Sequence, residues 1–256
     1  MVESLAVDLN CDLGESFGRY ELGEDAHMMA LISSANIACG FHAGDPNVMA
    51  HTVSLAKQHG VSIGAHPGYP DLQGFGRRSL GMTPQEIAYS VCYQIGALEA
   101  FARVAGDRVV HVKPHGSLYN LASQDTAAAR AIAQAVSAYN PDLVLVGLAG
   151  SELIRAGQGA GLRVAHEGFP DRVYLPDGQL MPRSQPGAVI TDSESIAENA
   201  LRLVKEGIAL GGEVIRVNTL CLHGDNPGAV NHAREVVQTL QDNGIAIRPL
   251  DQLVAS

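Results

Sequence analysis

The sequence predicts an α/β fold, a single (β/α) barrel of about seven strands spanning residues 1–256. Three observations predict it. Short β-branched runs alternate with longer stretches of helical period, seven or eight times in 256 residues, which fits a closed barrel better than an open sheet. The runs are apolar on both faces, as parallel strands covered by helices are. The fingerprints of doubly wound nucleotide-binding folds are absent. The first strand is followed by Asn10-Cys11-Asp12-Leu13-Gly14-Glu15 rather than GxGxxG, and no GxxxxGK[ST] occurs.

The expected strands are Leu5–Leu9, Ala35–Ala38, Val61–Ala65, Val109–Val112, Leu143–Gly147, Arg163–His166, Ile215–Leu222 and Ala246–Pro249. Helix starts are marked between them. Asp45-Pro46 offers an N-cap and an N1 proline before Asn47–His59. Thr83-Pro84-Gln85-Glu86 is a capping box before Ile87–Val104, and Thr191-Asp192-Ser193-Glu194 repeats the pattern before Ser195–Leu210. Asn226-Pro227 opens Gly228–Asp242. The stretch Gly168–Ile190, with Pro170, Pro176, Pro182 and Pro186, reads as a long loop or hairpin, and loops of that length often serve as lids.

Composition excludes several classes. Asp plus Glu total 27 against 17 Lys plus Arg, for a net charge of −10. With 46% hydrophobic and only 17% charged residues, the chain is no acidic disordered segment. No cluster of basic residues suits a phosphate backbone, so a nucleic-acid partner is not expected. No run of about 18 apolar residues suits a membrane span. Met1-Val2-Glu3-Ser4 does not begin a signal peptide, and four scattered cysteines (Cys11, Cys39, Cys92, Cys221) without a CxxC pair read as reduced, packed thiols. A cytoplasmic location is expected.

Polar residues gather just after the strands, where a (β/α) barrel does its chemistry. Five histidines, His42, His66, His115, His166 and His223, share that topological position. Asp8, Asp12 and Glu15 crowd three carboxylates near the end of the first strand, which either binds a cation or raises one pKa toward acid–base use. A divalent metal is compatible with this set, but no HxxxH or HExxH spacing supports a metal helix: HExxH is absent, and His111-Val112-Lys113-Pro114-His115 sits at the end of an expected strand. Lys113 could neutralise a carboxylate or an oxyanion, and Arg77 or Arg78 could clamp an anionic substrate. His42-Ala43-Gly44-Asp45-Pro46 is echoed by His223-Gly224-Asp225-Asn226-Pro227. Asp45 either caps its helix or binds substrate. Asp225 is freer, because Asn226 is the better cap. There is no GxSxG elbow, and Cys11 and Cys39 are better placed for packing than for nucleophilic attack.

Six blocks then give a specific likeness: Asp8 to Glu15, Asn36 to Asp45, Gly64-Ala65-His66-Pro67, Gly74-Phe75-Gly76-Arg77-Arg78, Lys113-Pro114-His115-Gly116 and His223-Gly224-Asp225. In this order, over Val7 to Pro249, they resemble the LamB/YcsF family of 5-oxoprolinase A subunits. The resemblance implies an irregular barrel like that of the polysaccharide deacetylases. It implies cleavage of 5-oxo-L-proline to L-glutamate coupled to ATP hydrolysis, with ATP as co-substrate of a complex with partner subunits B and C. Within that reaction Asp12 or Glu15 would be the general base, and His42, His66 and His115 would carry protons or meet phosphate. Lys113 would stabilise the anion. Asp8, Asn10, Asp45, Arg77, Arg78, His223 and Asp225 would bind substrate. Two other readings stay open: a metal-dependent deacetylase or amidohydrolase acting alone, and a non-catalytic regulatory subunit. Whether the chain forms a homo-oligomer is also open.

Overall fold

The structure, a computed structural model, describes residues 5–175, 179–182, 185–224 and 228–254. In chain order its elements are β1 (Ala6–Leu13), α1 (Asp25–Met29), β2 (Ser34–Ala38), α2 (Pro46–His59), β3 (Ser62–His66), α3 (Pro84–Val104) and β4 (Val109–Val112). Then follow α4 (Gly116–Gln124), α5 (Thr126–Tyr139), β5 (Val144–Leu148), α6 (Glu152–Gly159), β6 (Arg163–Gly168) and α7 (Ser193–Glu206). The chain continues through β7 (Ile208–Leu210), β8 (Glu213–Ile215), β9 (Thr219–Leu222), α8 (Ala229–Asp242), β10 (Ala246–Ile247) and α9 (Leu250–Leu253).

Seven parallel strands close on themselves in the order β1-β2-β3-β4-β5-β6-β9, with β9 returning to β1, and the short β10 adds to the start of β1. The barrel expected from the sequence is therefore present. Helices cover its outer face. Alternation along β1 turns Leu9, Cys11 and Leu13 into the main apolar core, while Asp8, Asn10 and Asp12 share the inner face of the barrel.

Cap chemistry explains the helix starts. Asp45 Oδ1 accepts from the Asn47 and Val48 amides, with Pro46 at N1. Thr83 and Glu86 form a reciprocal capping box at the head of α3. At α7 the cap is Asp192, which accepts from the Ser195 amide, and not the Thr191 of the expected Thr191–Glu194 box.

Three elements differ most from the sequence reading. β1 runs four residues beyond Leu9, so Asp12 lies in the strand rather than after it, with Glu15 in the turn that follows. The expected helix Ser195–Leu210 ends at Glu206, where Gly207 has φ +76°, and Ile208–Leu210 instead pairs antiparallel with Glu213–Ile215. The turn between them is Gly211-Gly212, with φ of +59° and +89°, the left-handed geometry of a two-residue hairpin. The expected strand Ile215–Leu222 is therefore two elements, with only Thr219–Leu222 in the barrel. Within Gly168–Ile190 the antiparallel bridges Arg172–Val189 and Tyr174–Leu180 confirm hairpin character. Among the described residues no helix is long and apolar enough to cross a membrane.

Candidate active site

The C-terminal ends of the parallel strands form one mouth. Asp12 comes from β1, Glu15 from the turn after it, and His42 from the loop between β2 and α2. His66 ends β3, and Lys113 and His115 follow β4. A cavity of about 500 Å³ opens over them. One side is Asp12, His66, Arg77, Lys113, His115 and Tyr119; the other includes Phe169, Arg172, Leu180 and His223. The hairpin after β6 thus supplies a wall of the pocket.

At its floor lies a buried ion-paired centre. Lys113 Nζ reaches Asp12 Oδ1 and Glu167 Oε1, each at 2.9 Å, and also donates to Asn10 Oδ1 at 3.2 Å and the Cys221 sulfur at 3.1 Å. Burial disfavours the ammonium charge, but the Asp12 and Glu167 carboxylates outweigh it and hold the Lys113 pKa well above its ordinary value. Burial likewise raises Asp12, but His66 and Lys113 outweigh it and keep that carboxyl well below the usual range. Glu167 also accepts from Tyr119 Oη at 2.7 Å and Asn10 Nδ2 at 3.0 Å.

Beside that centre three imidazoles converge. The His42 and His115 rings stack at 3.7 Å, nearly parallel, and His66 stands edge-on to both. Glu15 Oε1 lies 3.4 Å from His42 Nε2 and 3.4 Å from His115 Nδ1. Burial, with the His115 and His66 rings, holds His42 well below the usual imidazole pKa, and burial with His66 brings His115 down to about 3. Both rings are neutral at pH 7. Glu15, His42, His66 and His115 each offer one ligand atom, all within 4.8 Å of one another, the one group among the described residues arranged to hold a metal ion.

Some candidate residues lie elsewhere. Asp8 is fully buried below the mouth, where Ser33, Ser34 and Thr219 hydroxyls donate to it; burial lifts its pKa to about 6. Asn10 is also buried beneath the pocket, bonded to Glu167, Thr219 and Asn36. Asp45 holds the head of α2 and, through Oδ2, the Gly18 amide, so its oxygens are engaged away from the cavity. Arg78 pairs with Asp71, whereas Arg77 reaches the cavity with its guanidinium 5.0 Å from the Phe75 ring centre. His223 lines the cavity and pairs with Asp171 at 2.7 Å. Asp225 lies outside the described residues. His166 faces away from the barrel interior, where its Nδ1 meets the Gly150 amide, because its neighbour Glu167 takes the inward position.

The sequence reading assigned no role to Glu167, Tyr119, Arg172 or Phe169. Glu167 was detectable: it is two positions from Ala165 in the same strand, so it shares the face of that buried residue. Cys11 and Cys39 are buried among apolar side chains. Burial raises Cys39 to about 12 and Cys11 well above the usual thiol pKa, so neither is an activated nucleophile.

Comparison with known proteins gives the family and the fold. The 5-oxoprolinase A subunit of Syntrophobacter fumaroxidans is 53% identical over 247 residues, spanning 95% of this chain and 98% of that protein. Its namesake from Pyrococcus abyssi is 50% identical, spanning 98% of this chain and 100% of that protein. The crystal structure of a lactam utilization protein from Thermus thermophilus superposes with a TM-score of 0.89 at 49% identity, over 95% of this chain and 99% of that one. A structure of T48 deacetylase with substrate matches at TM-score 0.51 and 16% identity, over 98% of this chain and 90% of that one, a likeness of fold alone. The six sequence blocks all fall within residues 7–255, the stretch matched by the LamB/YcsF family, and with half of all positions shared with its curated relatives the chain belongs to that family.

Proposed function

We propose that this chain is the A subunit of an ATP-dependent 5-oxoprolinase, which opens the lactam of 5-oxo-L-proline to L-glutamate together with partner subunits B and C. The observation that carries this reading is the convergence of His66, His115 and the Asp12–Lys113 ion pair on one walled cavity, with Glu15 and His42 packed against the two histidines. The names of the relatives support it. The sequence has neither glycine-rich phosphate loop sought above, which agrees with ATP being used first by the partners.

A lactam resists water because amide resonance lowers the electrophilicity of its carbonyl carbon. Transfer of a phosphoryl group from ATP to the lactam oxygen removes that protection. One water then adds to the ring carbon, and expulsion of the nitrogen opens the ring to an acyl phosphate. A second water cleaves this to glutamate and phosphate, so both waters of the overall reaction are used. The mouth supplies what these steps need. Asp12 is ionised and held by Lys113, which suits it to orient water; its depressed pKa makes it a weak proton acceptor. Glu15 with His42, His66 and His115 takes up and returns the proton as a group. Arg77 and Arg172 provide positive charge for the substrate carboxylate and phosphate. Lys113 acts through the two carboxylates it holds, in place of the free anion donor expected from the sequence.

The test is one assay with 5-oxoproline and ATP, run with this chain alone, with B and C alone, and with all three. Glutamate is expected only from the full mixture. Glutamate at full rate without this chain overturns the reading, and amide hydrolysis by this chain without ATP replaces it with the lone amidohydrolase.

A further inference from the structure

We propose that Glu15, His42, His66 and His115 form a binding site for one divalent transition-metal ion of the Zn²⁺ class. This deepens the function proposed above but does not depend on it.

The first argument is about lone pairs. His66 Nδ1 lies 2.7 Å from the Lys113 carbonyl oxygen, and His115 Nε2 lies 2.8 Å from that of Phe75. A carbonyl only accepts, so both nitrogens carry the hydrogen. With that one hydrogen on each ring, the other two nitrogens, His66 Nε2 and His115 Nδ1, present lone pairs, and they face each other at 2.9 Å. Carboxylate oxygens add to the crowd: Asp12 Oδ2 is 3.2 Å from His66 Nε2, and Glu15 Oε1 is 3.4 Å from His115 Nδ1. Electron pairs this close require a cation among them. Anchoring of the far imidazole nitrogen by a backbone carbonyl is also how metal-binding histidines are oriented.

The second argument separates a metal from a proton. A shared proton would serve His66, His115 and the adjacent Asp12, and leave His42 out. His42 would still be fully buried with neither ring nitrogen hydrogen-bonded, its Nε2 3.4 Å from Glu15. One metal ion serves all four side chains at once. The two separations of 3.4 Å from Glu15 equal the ligand–ligand spacing of about 3.4 Å that bonds of ~2.1 Å give in a tetrahedral site. Three nitrogens and one oxygen suit Zn²⁺, Co²⁺ or Ni²⁺ better than Mg²⁺ or Ca²⁺, which favour all-oxygen sites. Charge agrees as well. At the floor of the pocket the carboxylates of Asp12, Glu15 and Glu167 outnumber the Lys113 ammonium, which favours a further cation. Asp12, beside the group and turned to the cavity, would accept a hydrogen bond from a water on the ion.

The experiment needs no substrate. Purified full-length chain is stripped with a chelator and titrated with Co²⁺, followed by visible absorption, then with Zn²⁺ in competition and by elemental analysis. One equivalent of Co²⁺ with the intense bands of a four-coordinate ion is expected, displaced by Zn²⁺, with a rise in Tm. His42→Ala and Glu15→Gln should each weaken binding at least ~100-fold, as loss of one of four ligands implies. His59→Ala, on the far end of α2, should not. Folding of each variant is checked by circular dichroism, and the two variants guard against failure of either one. A folded, stripped chain that takes up no stoichiometric Co²⁺ or Zn²⁺ overturns the proposal, as does unchanged binding in both variants. Binding by a chain that supports no glutamate formation keeps the metal site and removes the 5-oxoprolinase reading. Full glutamate formation with no metal bound does the reverse.

Discussion

Two buried polar regions lie one above the other inside the barrel, and they differ in how fully their hydrogen bonds are made. In the lower one, Asp8 accepts from Ser33, Ser34 and Thr219, Asn36 donates to Asn10, and His111 donates to Asn36 Oδ1 at 2.9 Å. Among the described residues only His111 Nδ1 is left over there. Gly64 makes room for that ring, since a Cβ on it would overlap His111. In the upper region His42 has no hydrogen bond and two imidazole lone pairs oppose each other. Burying polar groups is costly unless they are paired. The lower network is complete and acts as structure; the upper one is incomplete and is completed by what it binds. Burial and polarity are alike in both, so neither property alone identifies a site.

That contrast can be broken most severely at its boundary. Lys113→Met leaves Asp12 and Glu167 buried without their cation and is expected to cost about 3–5 kcal/mol, read from urea unfolding, with loss of glutamate formation. A parent-like midpoint would show that water reaches both carboxylates. The two regions should next separate by their mutants. Thr219→Val removes a donor to the fully buried Asp8 and should cost about 1–3 kcal/mol while leaving turnover per folded molecule unchanged. His42→Gln in metal-free protein breaks no hydrogen bond, so it should unfold within about 1 kcal/mol of the parent yet lose activity. The reverse ranking would make the lower region the functional one.

The pH dependence sharpens the same point. Burial, with the nearby Lys113 charge, lowers His111 to about 3, so the unfolded chain binds a proton there that the native one does not. Its contribution is present above the unfolded pKa of about 6.5 and is lost as pH falls toward 3, at about 1.4 kcal/mol per pH unit. Asp8 is raised to about 6 and works the other way: its contribution is present below about 4 and lost as pH rises through 6. Unfolding of His111→Gln measured between pH 4 and 6 should lack the His111 slope and show stability shifted toward falling with pH. An unchanged slope would mean that His111 is not held neutral. The smallest effect expected is Asp45→Ala, about 1 kcal/mol for a lost helix cap, read from thermal unfolding.

Much of this is legible in the sequence, for physical reasons. Parallel barrels put strand ends on one face, so Glu15, His42, His66, Lys113 and His115 can be gathered without knowing their distances. What fails is parity. His66 and His166 both stand at strand ends, but a side chain's face alternates with each residue, and only His66 points inward. β1 is longer than its apolar run because a barrel interior can be polar, as Asp8, Asn10 and Asp12 are, and a strand expected to be apolar on both faces stops too soon. The Gly211-Gly212 turn is a hairpin signal that the strand-like stretch Ile215–Leu222 beside it masks. The lone-pair conflict between His66 and His115 depends on carbonyls of Lys113 and Phe75, and no pattern of residue types shows where a backbone oxygen points.

The closure of β9 on β1 also orders events in time. Asp8 pairs with Thr219, residues 211 apart in sequence, so the barrel remains an open sheet until nearly the whole chain has been made. Synthesis runs from the N-terminus, and contacts so distant are among the slowest to form. Asp12 is therefore made among the first residues of the pocket, and its opposite wall, His223, among the last. A nascent or truncated chain lacking Thr219–Leu222 would carry every catalytic candidate yet enclose nothing, so competence arrives in a single late step.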